Sequence, residues 1–382
     1  MKNIVGQTPR GKDFYPRTKV IRKIYRRLDS GSHIFMSAPR RAGKTSIMRF
    51  LEDEPKKGYV FLYISVEDIE SSEEYFKLLS EELLASEAVS LMAKASEKVY
   101  NIFEQFSDHI KKVKIWNIEF ESQDKEPPKY SKEFEKLMRT LDTSDFTIVL
   151  LVDEFPIALE RISVEHGAKD AVEFLHANRS IRQRAKRGIQ FIYTGSIGLP
   201  NITRKLNATA TINDLNIIEV PPLNDREALD FAKQLLSNYN VTFVRGTIKY
   251  MLDRLSWLIP FFIQLVVQML IDEFETNCKP ITKKVVDEVL EKASNHRNNI
   301  YFESYYSRLD KSLTPVESKL AKQILLRIAV ENRVALEAFN GMEDASRVLE
   351  ILEFDGYIHS LNDVYVFNSP ILQLWWKKYA KN

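Results

Sequence analysis

Nine consecutive residues, Ala38-Pro39-Arg40-Arg41-Ala42-Gly43-Lys44-Thr45-Ser46, are the strongest candidates for chemistry. They fit the phosphate-binding pattern G-x-x-x-x-G-K-[ST] at every position but the first, where Ala38 replaces glycine. Such a loop wraps its backbone N–H groups around phosphates, helped by the positive end of the helix that follows. Lys44 would reach the terminal phosphates as a point charge, and Thr45 would offer its hydroxyl to Mg2+. Gly43 allows close approach or an unusual backbone angle. The methyl group of Ala38 removes some backbone freedom without blocking the loop.

A second group is acidic. Thr147-Ile148-Val149-Leu150-Leu151-Val152 runs without interruption into Asp153-Glu154. At the carboxyl end of a parallel strand, two carboxylates stand in the ligand crevice. There Asp153 would hold Mg2+, directly or through water, and Glu154 would orient and deprotonate an attacking water. An isolated strand ending in Asp-Glu is usually just a solvated strand end; about a hundred residues downstream of a phosphate loop the catalytic reading is preferred. A third group, Phe191-Ile192-Tyr193-Thr194-Gly195-Ser196, ends an apolar run in small polar residues. Ser196 or Thr194 could stand near a γ-phosphate, although turn chemistry alone accounts for these residue types. The expected ligands are therefore ATP or ADP with Mg2+.

These groups need a frame. Ile34–Met36, Tyr59–Ser65, Phe146–Val152, Ile189–Tyr193 and Asn216–Val220 read as five strands separated by helical stretches. Apolar runs of this kind suit parallel strands covered on both faces, and their alternation with helices argues for a doubly wound α/β sheet. An insertion occupies about residues 67–140. Its first part, Ser71–Ser107, reads helical, Val113–Phe120 reads as a short strand or hairpin arm, and Gln123–Lys129 as a loop. After Pro221-Pro222 the pattern turns helical over Asp225–Ser237, Gly246–Leu255, Pro260–Glu275 and Thr282–Ser294. Pro260 suits a first helical turn, where no N–H bond is lost. From Asn298 a third part begins. Thr314-Pro315-Val316-Glu317 is a capping box, helices are expected near Val334–Phe339 and Glu343–Phe354, and Val364–Phe367 follows a turn at Asn362-Asp363. Helices ending in a small hairpin are the layout of a winged helix. The expected domains are thus a P-loop ATPase domain over 1–222, a helical lid over 223–297 and a winged-helix domain over 298–382.

Bulk properties set the limits. The chain has 382 residues, a formal net charge of +2 and 28% charged residues, so no global field selects nucleic acid. The single cysteine, Cys278, cannot form an internal disulfide, and six histidines without ligand spacing argue against zinc. A reducing, cytoplasmic setting is the simple reading, and the N-terminus lacks the apolar stretch of a signal peptide. The most apolar run, Trp257–Ile271, falls short of the ~20 residues a membrane span needs and carries Gln264 and Gln268, so it is expected as a buried helix. Basic residues at Arg179, Arg182, Arg184, Lys186 and Arg187 could supply an arginine finger to a neighbouring subunit, but a solvated helix face is the preferred reading. The same holds for Arg17, Lys19, Arg22, Lys23, Arg26 and Arg27.

Together these features resemble the STAND class of AAA+ ATPases, in particular the archaeal-type ATPase family also common in bacteria. The resemblance rests on Asp13-Phe14-Tyr15-Pro16-Arg17, the loop 38–46, Val152-Asp153-Glu154-Phe155-Pro156, Thr194-Gly195-Ser196 and Val220-Pro221-Pro222-Leu223. It covers about residues 10–275 well and the tail more weakly, through residues 353–358 and 367–370. It implies that Phe14 and Arg17 lie against the adenine and that Pro260 covers the base, although Leu258 stands where the family has glycine. It also implies a switch: nucleotide clamps the helical and winged-helix parts onto the P-loop domain, hydrolysis is slow, and the output is a protein partner or effector, with homo-oligomerisation on activation. The alternative is a DNA-binding ATPase whose winged helix reads a duplex. From Asn298 onward ten basic side chains face eleven acidic ones, a net of −1. The helix expected to enter a groove carries Glu343, Asp344, Glu350 and Glu353 against Arg347 alone. Phosphate contacts want cations, so nucleic acid is the disfavoured partner on this count, and no membrane is expected.

Overall fold

The five apolar runs expected as strands of a parallel sheet each become one. The computed structural model describes residues 1–87, 89, 129–141, 143–185, 187–195 and 198–380. These divide into two compact units, one of residues 17–37 and 47–219, the other of residues 1–16, 38–46 and 220–382.

The first unit is built on a parallel sheet of β1 (His33–Ser37), β2 (Tyr59–Ser65), β3 (Thr147–Asp153), β4 (Ile189–Thr194) and β5 (Leu215–Glu219), in the order β2-β3-β4-β1-β5. The central strands β3 and β4 are buried along nearly their whole length, which is why they read as continuous apolar runs. β5 is an edge strand, and its Ile217 is exposed. Helices α1 (Thr18–Asp29), α2 (Lys44–Asp53), α3 (Ser72–Ala85), α4 (Tyr130–Thr140), α5 (Phe155–His166), α6 (Ala168–Arg184) and α7 (Leu199–Lys205) connect the strands. Helix α1 buries Val20, Ile24 and Leu28 at helical spacing and turns Lys19, Lys23, Arg26 and Arg27 to solvent, so its basic run is a solvated face. Ser71 caps α3 by accepting the Glu74 N–H. One core joins α3, α4, α5, α6 and the sheet through Tyr75, Phe76, Phe134, Phe155, Phe174 and Tyr193. The Tyr75 and Phe174 rings meet edge to face at 4.8 Å.

The buried Arg182 is paired. Arg182 donates from Nε and Nη2 to the two Asp214 oxygens at 2.7 and 2.8 Å and from Nη2 to the Thr211 carbonyl at 2.7 Å. Burial alone would raise the Asp214 carboxyl, but these bonds hold it below the usual carboxylate range. Arg182 is therefore engaged inside the fold, and Arg184 pairs with Glu135 at 2.8 Å.

In the second unit α8 (Asp225–Leu236), α9 (Thr247–Leu255), α10 (Pro260–Asn277) and α11 (Lys283–Ala293) follow the expected helical pattern. Asn224 and Glu227 form a capping box at α8, and Pro260 opens α10. The polar intruder in the apolar run is explained: the Gln264 side-chain amide donates to the Ile4 carbonyl at 3.0 Å, and Asn3 Nδ2 donates to the backbone carbonyl of Gln264 at 2.9 Å. Then come α12 (Asn299–Ser312), α13 (Pro315–Glu331), β6 (Val334–Ala335), α14 (Ala345–Phe354), β7 (Ile358–Leu361), β8 (Val364–Phe367) and α15 (Pro370–Tyr379). The strands form an antiparallel sheet in the order β6-β8-β7, with Asn362 and Asp363 both at positive φ in the tight turn. This is a winged-helix-like region. The helix expected near Val334–Phe339 is instead a two-residue strand and one 3-10 turn. Asn332 at φ +65° ends α13, and Val334 then pairs with Tyr365, so sheet pairing wins over helical spacing. Val113–Phe120, residues 123–128 and most of Ser71–Ser107 lie outside the described residues. Among the described residues no helix is long and apolar enough to cross a membrane.

Candidate functional site

In a parallel sheet every strand ends at the same edge. β1, which runs into the loop at Ala38, and β3, which ends at Asp153, both leave the carboxyl edge, with β4 between them. Asp153 is buried at 3% exposure. Its Oδ1 accepts from Thr194 Oγ1 at 2.6 Å and from the Glu154 N–H at 3.1 Å, and its Oδ2 accepts from Tyr63 Oη at 2.9 Å. The carboxylate and the Thr194 hydroxyl are therefore brought together. Glu154 follows at φ +61°, a left-handed conformation that turns the chain from β3 into α5, with Pro156 in the first turn. Gly195 is required by space: a Cβ there would run into the Pro156 ring. Ser196 lies outside the described residues.

The loop 38–46 groups with the second unit. Lys44 is buried, and its ammonium donates to the Ala38 and Pro39 carbonyls at 2.8 and 3.1 Å. Gly43 has φ +92° with open space at its Cβ position, so conformation rather than crowding demands glycine. Ala42 and Ser46 are buried; Thr45, Pro39, Arg40 and Arg41 are half-buried. Arg41, at φ +65°, lays its guanidinium 3.9 Å above the Phe261 ring, next to Pro260 in sequence, with Tyr301 and Tyr305 at 5.7 and 5.9 Å. Pro39 packs on the backbone of Gly356, where a Cβ would come within 2.8 Å of its ring. Beside them Arg308 and Asp355, both buried, stand 3.5 Å apart. Burial pushes the Asp355 carboxyl up, against the pull of Arg308 and, more weakly, Lys44. Phe14 is buried, and the neighbouring Tyr15 ring lies 5.1 Å from Phe231. Arg17 is buried at the start of α1 in the first unit.

Three contributors went unread in the sequence. Tyr63 carried no signal, because a tyrosine inside an apolar strand reads as core. Arg308 and Asp355 carried none, because their pairing depends on tertiary folding.

No protein-family model and no curated protein matches the sequence. Solved structures do match. A Walker-type ATPase of Pyrococcus abyssi superposes with a TM-score of 0.63 at 17% identity, over 99% of this chain and 100% of the other. The ORC2 protein of Aeropyrum pernix, in ADPNP and ADP complexes, gives 0.54 at 11% identity over 97% and 96%. The ORC1 protein of that organism in complex with DNA gives 0.45 at 11% over 94% and 91%. The likeness shows the AAA+-type P-loop ATPase fold and does not single out the STAND class. One expectation is corrected: the charge count of the tail does not make nucleic acid a disfavoured partner. The physical reason is that a net charge of −1 over the tail sums its surface, while phosphate contacts depend on where cations stand. Lys319, Arg333 and Lys377 are exposed in that region.

Proposed function

We propose that the chain is an ATP-hydrolysing AAA+-type ATPase that acts on duplex DNA. The observation that carries the ATPase part of this reading is the end-to-end likeness to a Walker-type ATPase and to a protein solved with ADPNP and ADP; the duplex part rests on the winged-helix-like region built from α13, α14 and β6–β8. The backbone of Pro39–Ser46 and the Lys44 ammonium would bind the β- and γ-phosphates. The Thr45 hydroxyl and the Asp153 carboxylate are hard oxygen donors of the kind Mg2+ takes, and they would hold it. When bound, Mg2+ would neutralise charge on the phosphates. Glu154 would take the proton of the attacking water, and Ser196 would stand near the γ-phosphate. Phe14, Arg17 and Pro260 would enclose the base, as the sequence resemblance implies.

The test is duplex binding by fluorescence anisotropy across a salt series, in ATP and in ADP, with turnover measured in parallel. Binding should weaken linearly on a logarithmic salt scale and depend on nucleotide. Lys44→Ala should lose nucleotide binding and that dependence. Glu154→Gln should bind ATP yet turn over about 10²–10⁴-fold more slowly. No duplex binding at low salt in either nucleotide would end the DNA reading, and full turnover by Glu154→Gln would end the site assignment.

A second reading, the STAND-like nucleotide-held switch, is favoured by a separate observation: Pro39 and Arg41 of the loop pack on Gly356, Phe261, Tyr301 and Tyr305. A loop held by residues more than two hundred positions away in sequence could report its nucleotide state to the winged-helix-like region.

A further inference from the structure

Tyr63 is held at three points, all within the sheet unit. Its backbone N–H, on the outer side of edge strand β2, donates to Glu52 Oε1 at 3.1 Å. Its ring lies 3.4 Å beneath the Arg49 guanidinium, which itself pairs with Glu52 Oε2 at 2.8 Å. Its hydroxyl donates to Asp153 Oδ2 at 2.9 Å. A phenol gripped by ring and backbone has little freedom to swing, so the position of its hydroxyl is set by the Arg49–Glu52 turn of α2. On the other oxygen, Thr194 and the Glu154 N–H bind Oδ1. Contacts at one oxygen leave a carboxylate free to rock about its Cβ–Cγ bond; a donor at the second oxygen fixes its plane.

We infer that Tyr63 is a positioning residue for Asp153, locking the carboxylate plane in the orientation that receives the metal. This rests on the reading of Asp153 as a metal-holding group. Partners that orient a ligand in this way typically change metal affinity about 10–100-fold when removed. Arg49, four residues after Thr45, acts through Tyr63 rather than on Asp153.

The experiment titrates Mg2+ into the full chain with a fluorescent ATP analogue bound, and separately follows Mn2+ binding by electron paramagnetic resonance. Tyr63→Phe keeps ring, stack and fold and removes only the hydroxyl. It should leave analogue binding in chelator unchanged and raise half-saturating Mg2+ about tenfold, within that range. Arg49→Met should shift it in the same direction by less. Asp153→Asn separates the two failures. If Asp153→Asn weakens metal binding while Tyr63→Phe titrates like the wild type at an unchanged melting temperature, Tyr63 has no positioning role. If neither changes metal binding, the assignment of Asp153 has failed and the inference falls with it.

Discussion

Glu154 stands at φ +61°, where a residue other than glycine is strained by about 1–2 kcal/mol, at the turn where β3 becomes α5. Such a cost persists where the side chain is needed more than the backbone's comfort. Glu154→Gly should therefore raise stability to urea by about 1 kcal/mol while cutting ATP turnover at least about 10²-fold. A glycine variant with wild-type turnover would remove Glu154 from catalysis. At this scale the sequence marks out Lys44, Thr45, Asp153 and Glu154 as candidates by type and spacing. Tyr63 did not, since a tyrosine in an apolar strand reads as core until its hydroxyl is seen on Asp153.

Between elements, His33 stitches β1 to its neighbours. Its Nδ1 accepts the Phe191 N–H at 3.2 Å, so the other nitrogen, Nε2, is the one that donates to the Arg182 carbonyl at 3.1 Å. Only a neutral ring can do both. Burial, with the Arg182 charge adding to it, holds this imidazole down to about 4. The unfolded chain takes up the proton near 6.5. Between those values the unfolded state binds more protons, so His33's contribution is complete above about 6.5 and is lost as pH falls toward about 4, up to about 3 kcal/mol. Thermal melts of His33→Gln should accordingly depend less on pH than the wild type over that window; parallel curves would show that the ring does not titrate with folding. The strands themselves were legible as apolar runs, whereas β6 was not: two residues cannot show a period of two, and only Tyr365 and Val364 across the sheet make them a strand.

At the scale of the molecule, the loop at 38–46 and the winged-helix-like residues at 355–356 fall in one compact unit. Gly356 carries φ +80° and lies against Pro39 and Trp257. Gly356→Ala would force a methyl group into that contact from a strained backbone. It should cost on the order of 1–2 kcal/mol in stability and speed release of a fluorescent ADP analogue without removing any phosphate-binding group. A destabilised variant with unchanged release would sink the switch reading and leave the ATPase reading standing.

The five strands of the parallel sheet and most of the helices that follow them were legible in the sequence alone, and the loop 38–46 and the acidic pair stood out as candidates, because strand runs, helix caps and motif spacing act within a few residues. Tertiary structure alone decided the grip of Tyr63 on Asp153, the stack of Arg41 on Phe261 and the pairing of Arg308 with Asp355. Each joins side chains from separate elements, and which elements become neighbours follows from how apolar faces cover one another across the whole chain, a condition no local window contains.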